Sequence, residues 1–207
     1  MLLSSQSYAV SIADVERKAD REGLTVVYSR YLDRVFLRGD TNLSAYRRVM
    51  IDPMRVDFDE RWLNYVNHMV PPVGEENLKR IAEGIALEAH ANVARAFHDR
   101  GFMVVDSLGA GVLRLSSQVS DLYVNAPDRL QPWLGTTFTK DAGEATLLFE
   151  ARDSTSDLVI ARIVHRGTAV QMGRFSWTTG ATGRMWFGEL IRRWAIECAS
   201  VLEASTK

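Results

Sequence analysis

The chain contains a single cysteine, Cys198, among its 207 residues. A lone cysteine excludes an internal disulfide bond and also a metal site that is built from cysteine pairs. Cys198 falls between Trp194 and Val201, on what we expect to be the apolar face of the last helix. We therefore predict that Cys198 is a small buried hydrophobic residue, because no feature that would activate its thiol lies nearby in the sequence.

Long apolar runs and an excess of either charge are also missing. No stretch approaches the roughly 18 consecutive apolar residues that a membrane-spanning helix requires. The 25 lysine and arginine residues are balanced by 26 aspartate and glutamate residues, which leaves a net charge of −1. Such a balance provides no long-range field that would attract nucleic acid or an anionic membrane, so we expect no nucleic-acid partner.

Motifs of catalysis and metal binding are likewise missing. The sequence has no G-x-S-x-G element, and the spacing of its four histidines does not match a metal site (His68, His90, His98 and His165). The acidic residues at 57, 59 and 60 are best explained as a solvated loop. We therefore predict no catalytic residues, no metal and no cofactor.

The size and composition favour one domain with an N-terminal arm. With 207 residues, of which 46% are hydrophobic, the chain has material for one sizeable core. We assign residues 1–43 to an arm with a short helix at 11–22, which ends before Gly23, and residues 44–207 to a single domain. The segment LTVVYSRYL, which follows that helix, is expected to pack on the domain as part of the arm.

The first half of the domain is predicted to form a β-α-β unit. The stretch 44–58, SAYRRVMIDPMRVDF, is the first core strand, and it must bulge, end or lie at an edge at Pro53 because proline lacks an amide donor. A long loop is expected next, and then a helix over 75–100 whose apolar residues recur every three or four positions. FMVVD follows as a strand, with a right-handed crossover expected.

The second half adds strands and a closing helix. We expect one strand in VLRLSSQVSDLYVN, with one wet face and with Tyr123 on the same face as Leu113, Leu115 and Val119. Two more strands are joined by STSD, and a helix begins at Arg184. Together these elements predict an α+β two-layer sandwich: a mixed, mostly antiparallel sheet of about five strands with two long helices packed on one face.

Two connections place aromatic residues outside the predicted elements. Aromatic residues in loops bind carbohydrate, peptide or protein surfaces by stacking and burial. The alternative is that these side chains simply cover the ends or the open face of the sheet. The candidate binding residues are Tyr123, Asn125, Trp133, Phe175 and Trp177.

Four stretches resemble the bacterial family DUF3313, a group of exported proteins and lipoproteins of unknown function. The most specific pieces of the resemblance are VMIDP and DLYVNAPD, and the four stretches are LRGDTNLSAYRRVMIDPMRVDFDERW, GAGVLRLSSQVSDLYVNAPD, EARDSTSDLVIARIVHR and FSWTTGATGRMWFGELIRRWA. The resemblance implies a periplasmic or outer-membrane-associated location. It also implies that membrane contact is made only through a lipid anchor, for which this chain shows no lipobox. Where relatives tend to have a Thr-Gly turn, this chain has Thr155-Ser156-Asp157, which leaves the turn type open.

The resulting expectation is a non-enzymatic cell-envelope accessory protein that acts through protein contacts in an assembly. Its partner would be another envelope protein or a second copy of itself, with the wet sheet face and its loops as the interface. The alternative is a small-ligand binding protein, for carbohydrate or peptide, or a hydrolase that uses the aromatic loops. A cytoplasmic protein of unrelated role is a third interpretation, based on the missing export signal.

Overall fold

The computed structural model describes residues 11–68, 72–124, 141–170 and 180–205. These residues form a mixed sheet of eight strands with α-helices packed against it, which confirms the α+β class. The prediction of about five strands was too low, because short strands extend the sheet on both sides. In chain order the elements are α1 (Ile12–Arg21), β1 (Thr25–Val27), β2 (Arg34–Leu37), a short 3-10 helix (Leu43–Ala45), β3 (Arg48–Ile51), β4 (Arg55–Phe58), α2 (Glu60–Asn67), α3 (Glu75–His98), β5 (Met103–Val104), β6 (Val112–Val124), β7 (Asp141–Asp153), β8 (Val159–Val170) and α4 (Gly180–Ala204).

The sheet combines antiparallel and parallel pairing. Its order is β1-β2-β8-β7-β6-β3-β5, and β4 also pairs with β6. The pairs from β1 to β6 along this order are antiparallel, whereas β3, β4 and β5 join by parallel pairing. Because β3 and β5 are parallel neighbours with α3 between them in sequence, the predicted β-α-β unit is confirmed.

Proline interrupts the strand that flanks β6. β3 runs beside residues 112–115 of β6, and β4 runs beside residues 118–122. The amide of Asp52 still donates to the carbonyl of Leu115 at 2.8 Å, after which Pro53 has no hydrogen to donate. The predicted single strand over 44–58 is therefore two strands, and the break falls at the predicted residue.

The connection after β4 was predicted as a loop, and this was wrong for its first part, which forms α2. The Asp59 side chain caps α2 by accepting hydrogen bonds from the amides of Arg61 and Trp62. The indole of Trp62 is buried and stacks on Phe58, with 5.1 Å between ring centroids. The local cap and the buried indole together stabilise a helix whose eight residues would be too short to persist alone.

The two long helices cover one face of the sheet, as predicted. α3 buries Ile85, Ala89, Val93 and Phe97, which lie three or four residues apart. α4 adds an apolar stripe of its own, and both stripes meet the inward-facing residues of β6, β7 and β8 in one core. Cys198 lies within this core with 1% of its surface exposed, which confirms its predicted burial. Burial raises the pKa of its thiol, and the nearby carboxylate of Glu197 raises it further.

The opposite face of the sheet is covered in part by α1. Val15 and Ala19 pack against Phe36 of β2 and Val164 of β8 in a second, smaller apolar cluster. The short helix predicted at 11–22 is confirmed, and it lies on the far side of the sheet from α3 and α4. No helix in the described ranges is long and apolar enough to cross a bilayer.

Candidate functional site

Of the five candidate binding residues, Tyr123 belongs to the described part of the chain. Asn125, Trp133, Phe175 and Trp177 lie outside the described residues. Tyr123 is the penultimate residue of β6, next to the connection that was predicted to carry the aromatic residues.

A β-bulge decides the direction of the Tyr123 side chain. Asp121 adopts a left-handed backbone with φ of 52°, and the register between β6 and β7 shifts between Ser120 and Tyr123. The extra residue turns Leu122 into the core, where it is fully buried, and leaves Tyr123 38% exposed. The prediction that Tyr123 shares the face of Leu113, Leu115 and Val119 was therefore wrong.

The exposed tyrosine stands beside an ion pair. Glu144 lies directly opposite Tyr123 on β7, and its carboxylate accepts a hydrogen bond from the Arg166 guanidinium at 2.6 Å. This end of the sheet thus offers an aromatic ring next to paired charges of both signs. Such a combination suits stacking against a sugar or peptide, but it provides no activated nucleophile.

The uncovered part of this face is polar, and its charges pair internally. The Nε atom of Arg114 donates to both carboxylate oxygens of Asp52, at 3.1 and 2.8 Å. The Gln118 amide donates to the Asp57 carboxylate at 2.8 Å. The face was expected to be wet, and Arg114 is indeed exposed, although Ser120 at the bulge is only 1% exposed. Because its main charges already have partners, this face offers few free groups to a ligand.

An ion network that the sequence analysis missed lies beneath α1. Arg162 of β8 is 1% exposed, and its Nε donates to Glu150 of β7 at 2.6 Å. Its Nη2 lies 2.7 Å from Glu22 at the end of α1, as an ion pair without hydrogen-bond geometry. Glu150 also accepts a hydrogen bond from Arg152 at 2.7 Å and lies 3.6 Å from the Lys18 ammonium.

The electrostatics of this network favour the charged state of Glu150. Burial alone would raise the pKa of the carboxyl group, but the charge of Arg162 and the hydrogen bonds from Arg152 and Arg162 outweigh burial and leave the pKa below its ordinary value. Glu150 and Arg162 are cross-strand partners in the β7–β8 register. The sequence did contain a signal for this pair, because Glu150 and Arg162 have opposite charges and occupy facing positions in the two strands of the predicted hairpin. The network fixes α1 to the sheet, and we assign it a structural role.

Two of the three acidic residues at 57, 59 and 60 have separate structural roles. Asp57 accepts from Gln118, and Asp59 caps α2 while also binding the Arg61 side chain, which lowers the pKa of Asp59. In the described ranges, no group of three or more histidine, cysteine, aspartate or glutamate residues is arranged to hold a metal ion.

A small apolar cavity lies between the sheet and the two long helices. It is lined mainly by apolar side chains, among them Phe149, Trp194 and Cys198, and Ser117 is also part of its wall. Its free space is on the order of one water molecule, so it does not hold a carbohydrate or a peptide.

Both edges of the sheet expose large apolar residues. In the described ranges, β1 pairs with β2, β5 pairs with β3, and no further strand pairs with either of them. We define the β1 edge as residues 25–31 and the β5 edge as residues 103–108. The β1 edge exposes Val26, Val27, Tyr28 and Tyr31 (68, 40, 89 and 59%), and the β5 edge exposes Met103, Val104 and Leu108 (63, 37 and 53%).

The two edges have only part of the usual protection against strand pairing. Natural edge strands are protected by being very short, by proline, by charged side chains, especially lysine, or by a bulge, because unpaired backbone groups next to apolar side chains recruit another strand. β1 and β5 are short, with three and two residues, and each edge carries one charged residue, Arg30 or Asp106. The sequences of the two edges, TVVYSRY and MVVDSL, contain no proline or lysine. The geometry therefore indicates two surfaces that suit contact with a protein strand.

Comparison with known proteins yields similarity in structure only. No protein-family model matches the chain, and no curated protein matches it. The chain is similar to a solved PelC dodecamer from Paraburkholderia phytofirmans, at 10% identity over 84% of this chain and 96% of that chain, with a TM-score of 0.39. It is also similar to a DUF330 protein from Xanthomonas campestris, at 12% identity over 77% and 85% of the two chains, with a TM-score of 0.44.

A third similar structure is a DUF4136 family protein from Bacteroides thetaiotaomicron. The identity is 9%, the match covers 89% of this chain and 98% of that chain, and the TM-score is 0.36. At such values none of these structures informs function, partner or location. None of the three is described as DUF3313, so the resemblance to that family stays a prediction.

Proposed function

We propose that this chain is a non-enzymatic accessory protein of the bacterial cell envelope that acts by protein–protein contact within an assembly. The observation that carries the proposal is the pair of open sheet edges, each of which displays apolar side chains to solvent. An extended segment of a partner gains backbone hydrogen bonds from such an edge and buries these side chains at the same time.

The site chemistry supports binding rather than catalysis. The titratable groups with lowered pKa values in the described ranges are Asp59, Glu150, Asp153 and Glu189, and all four are held by hydrogen bonds from neighbouring side chains. Carboxylates held in this way are stabilised in their charged form and are poor general bases. The envelope location is supported by the sequence resemblance to DUF3313, through VMIDP and DLYVNAPD.

The test is recovery of partners from bacterial envelope extract. Tagged wild-type chain should retain a specific envelope protein or further copies of itself. The variants Val26→Lys and Met103→Lys place a charge on the two edges and should reduce this recovery, whereas Leu87→Lys should not. Leu87 is the matched control because it is 75% exposed but belongs to α3 and to neither edge segment.

A strict monomer by light scattering, together with no partner recovered by the wild-type chain, would contradict the proposal. The proposal would also be contradicted if all three lysine variants recovered partners as well as the wild-type chain does. Folding of each variant is checked by circular dichroism, and because all three positions are exposed we expect unchanged spectra.

A second candidate function is binding of a carbohydrate or peptide, or its hydrolysis, and the exposure of Tyr123 favours it. An aromatic ring with 38% exposure beside the Glu144–Arg166 ion pair is a stacking surface with polar groups next to it. Calorimetric titration with oligosaccharide and peptide panels tests this candidate, with Tyr123→Ala as the variant that should lose binding. Heat changes that are equal for wild type and Tyr123→Ala would remove Tyr123 from the candidate site.

A further inference from the structure

The two open edges of the sheet point in the same direction. Four antiparallel pairings and two parallel pairings separate β1 from β5 along the sheet. Each antiparallel pairing reverses the strand direction, and four reversals restore it. A second copy that continues the sheet therefore sets its β1 parallel to β5 of the first copy, and the long helices of both copies stay on the same side.

The charges next to the edges are complementary in this arrangement. Arg30 follows β1 by three residues, and Asp106 follows β5 by two; both are exposed. Parallel pairing brings the C-terminal ends of the two strands together, and with them the guanidinium of Arg30 and the carboxylate of Asp106. Opposite charges near the same end of the two strands favour this parallel alignment.

The β1 edge also has a symmetric alternative. In a two-fold dimer, two β1 strands would pair antiparallel, so the C-terminal end of each would meet the N-terminal end of the other. Arg30 of each copy would then lie away from Asp106, and this pair of opposite charges would not form.

We infer that the partner at each edge is a second copy of this chain, and that β5 of one copy pairs in parallel with β1 of the next. This inference rests on the proposed function. The contact is heterologous, since it joins two different surfaces. Assemblies of this kind contain more than two copies and either close into a ring or grow as a filament. The apolar side chains of the β1 edge and the β5 edge are buried against one another in the contact.

Disulfide trapping tests which edges meet. Val26→Cys and Met103→Cys place a thiol on each edge, on the same face of the continued sheet, and paired positions on neighbouring strands lie within disulfide reach. Under mild oxidation, a mixture of the two single variants should give a mixed dimer, and neither variant alone should cross-link efficiently. The wild-type chain is the control, because its cysteine is buried. Cross-linking of Val26→Cys with itself would overturn the head-to-tail arrangement.

A charge exchange tests the Arg30–Asp106 pairing in solution. Arg30→Asp and Asp106→Arg should each weaken self-association by roughly tenfold or more, because each brings like charges together. The double variant exchanges both signs and should recover most of the wild-type association, as measured by light scattering across a concentration series. Single variants that associate like wild type, or a double variant without recovery, would overturn the inference.

Failure of this inference is distinguishable from failure of the proposed function. If the wild-type chain is monomeric at every concentration and yet recovers a different envelope protein in a manner sensitive to Val26→Lys, the partner is not a second copy. The head-to-tail inference is then wrong, while contact-based function stands. If neither association occurs, both fail.

Discussion

The indole ring of Trp194 on α4 lies directly against Gly167 of β8. A Cβ atom at Gly167 would stand 2.8 Å from Cζ2 of Trp194 and 2.9 Å from Cδ1 of Leu190. Contacts under about 3 Å do not occur between packed carbon atoms, whose optimal separation is roughly 3.5 to 4.0 Å. Because Gly167 has no side chain, α4 can pack closely against the sheet at this point.

We expect Gly167→Ala to destabilise the fold by about 1 to 3 kcal/mol, the usual range for overpacking a core. Thermal and denaturant unfolding measure this loss. Gly84→Ala is the matched control: Gly84 lies within α3 with open space around it, so alanine should stabilise the helix by roughly 0.5 to 1 kcal/mol. Equal stability of Gly167→Ala and wild type would contradict the packing argument.

The ion pair between Arg162 and Glu150 should be costly to break from one side. Glu150→Gln removes the carboxylate that Nε of Arg162 binds, while Glu22 stays 2.7 Å from Nη2, so we expect a loss below the about 3 to 5 kcal/mol that a buried charge left without any partner costs. Replacing both residues with methionine removes both charges together. We expect the double variant to lose much less stability than the sum of Glu150→Met and Arg162→Met in a double-mutant cycle. Additive losses would show that the two side chains do not interact.

Stability should fall in acid, in part through Glu150. Its pKa is lowered in the folded chain, so its contribution is fully present above the ordinary glutamate pKa of about 4.3 and is lost as the pH falls towards the folded value. Asp153, which accepts hydrogen bonds from Thr155, Ser156 and Tyr46, also has a lowered pKa and acts in the same direction. Denaturant unfolding between about pH 7 and pH 3 should show a shallower loss for Glu150→Gln than for wild type. Parallel curves would exclude Glu150 as a source of the dependence.

The turn between β7 and β8 holds Asp157 in a left-handed conformation with φ of 57°. Glycine adopts this conformation freely, whereas the conformation is less favourable for alanine by roughly 1 to 2 kcal/mol. We therefore expect Asp157→Gly to match or exceed wild-type stability and Asp157→Ala to be less stable than Asp157→Gly by about 1 kcal/mol. The Asp157–Arg152 ion pair is exposed on the aspartate side and contributes little to this difference. A ranking with Asp157→Ala above Asp157→Gly would show that the turn does not require a positive φ in solution.

This turn also answers a question that the sequence left open. The departure from a Thr-Gly turn to Thr155-Ser156-Asp157 made the turn type uncertain. The structure keeps the positive φ and places aspartate there, a residue type that tolerates the left-handed region better than most. The Asp153 side chain also stabilises the turn, because it accepts hydrogen bonds from the amides of Thr155 and Ser156, at 3.0 and 2.7 Å.

Much of the candidate site was beyond the reach of sequence patterns. Alternation along β6 predicted an inward Tyr123, but one left-handed residue at Asp121 shifted every later side chain to the other face. Period-two patterns carry no marker for such a bulge unless glycine stands at it. FMVVD was predicted as a strand and contains β5, whereas β1, with three residues, is too short to show a period. The edge position of both strands was missed, because strand order depends on pairings between residues distant in the chain.

The sequence by itself determined the α+β class, the helices α1, α3 and α4, the break at Pro53 and the burial of Cys198. These features depend on residues within a few positions of one another, where spacing and backbone chemistry act directly. The tertiary structure alone decided which strands form the edges, the inward turn of Leu122 at the bulge, and the meeting of Arg162 with Glu150 and Glu22 under α1. Strand order and cross-strand register arise from pairings between residues distant in the chain, and no local pattern records them.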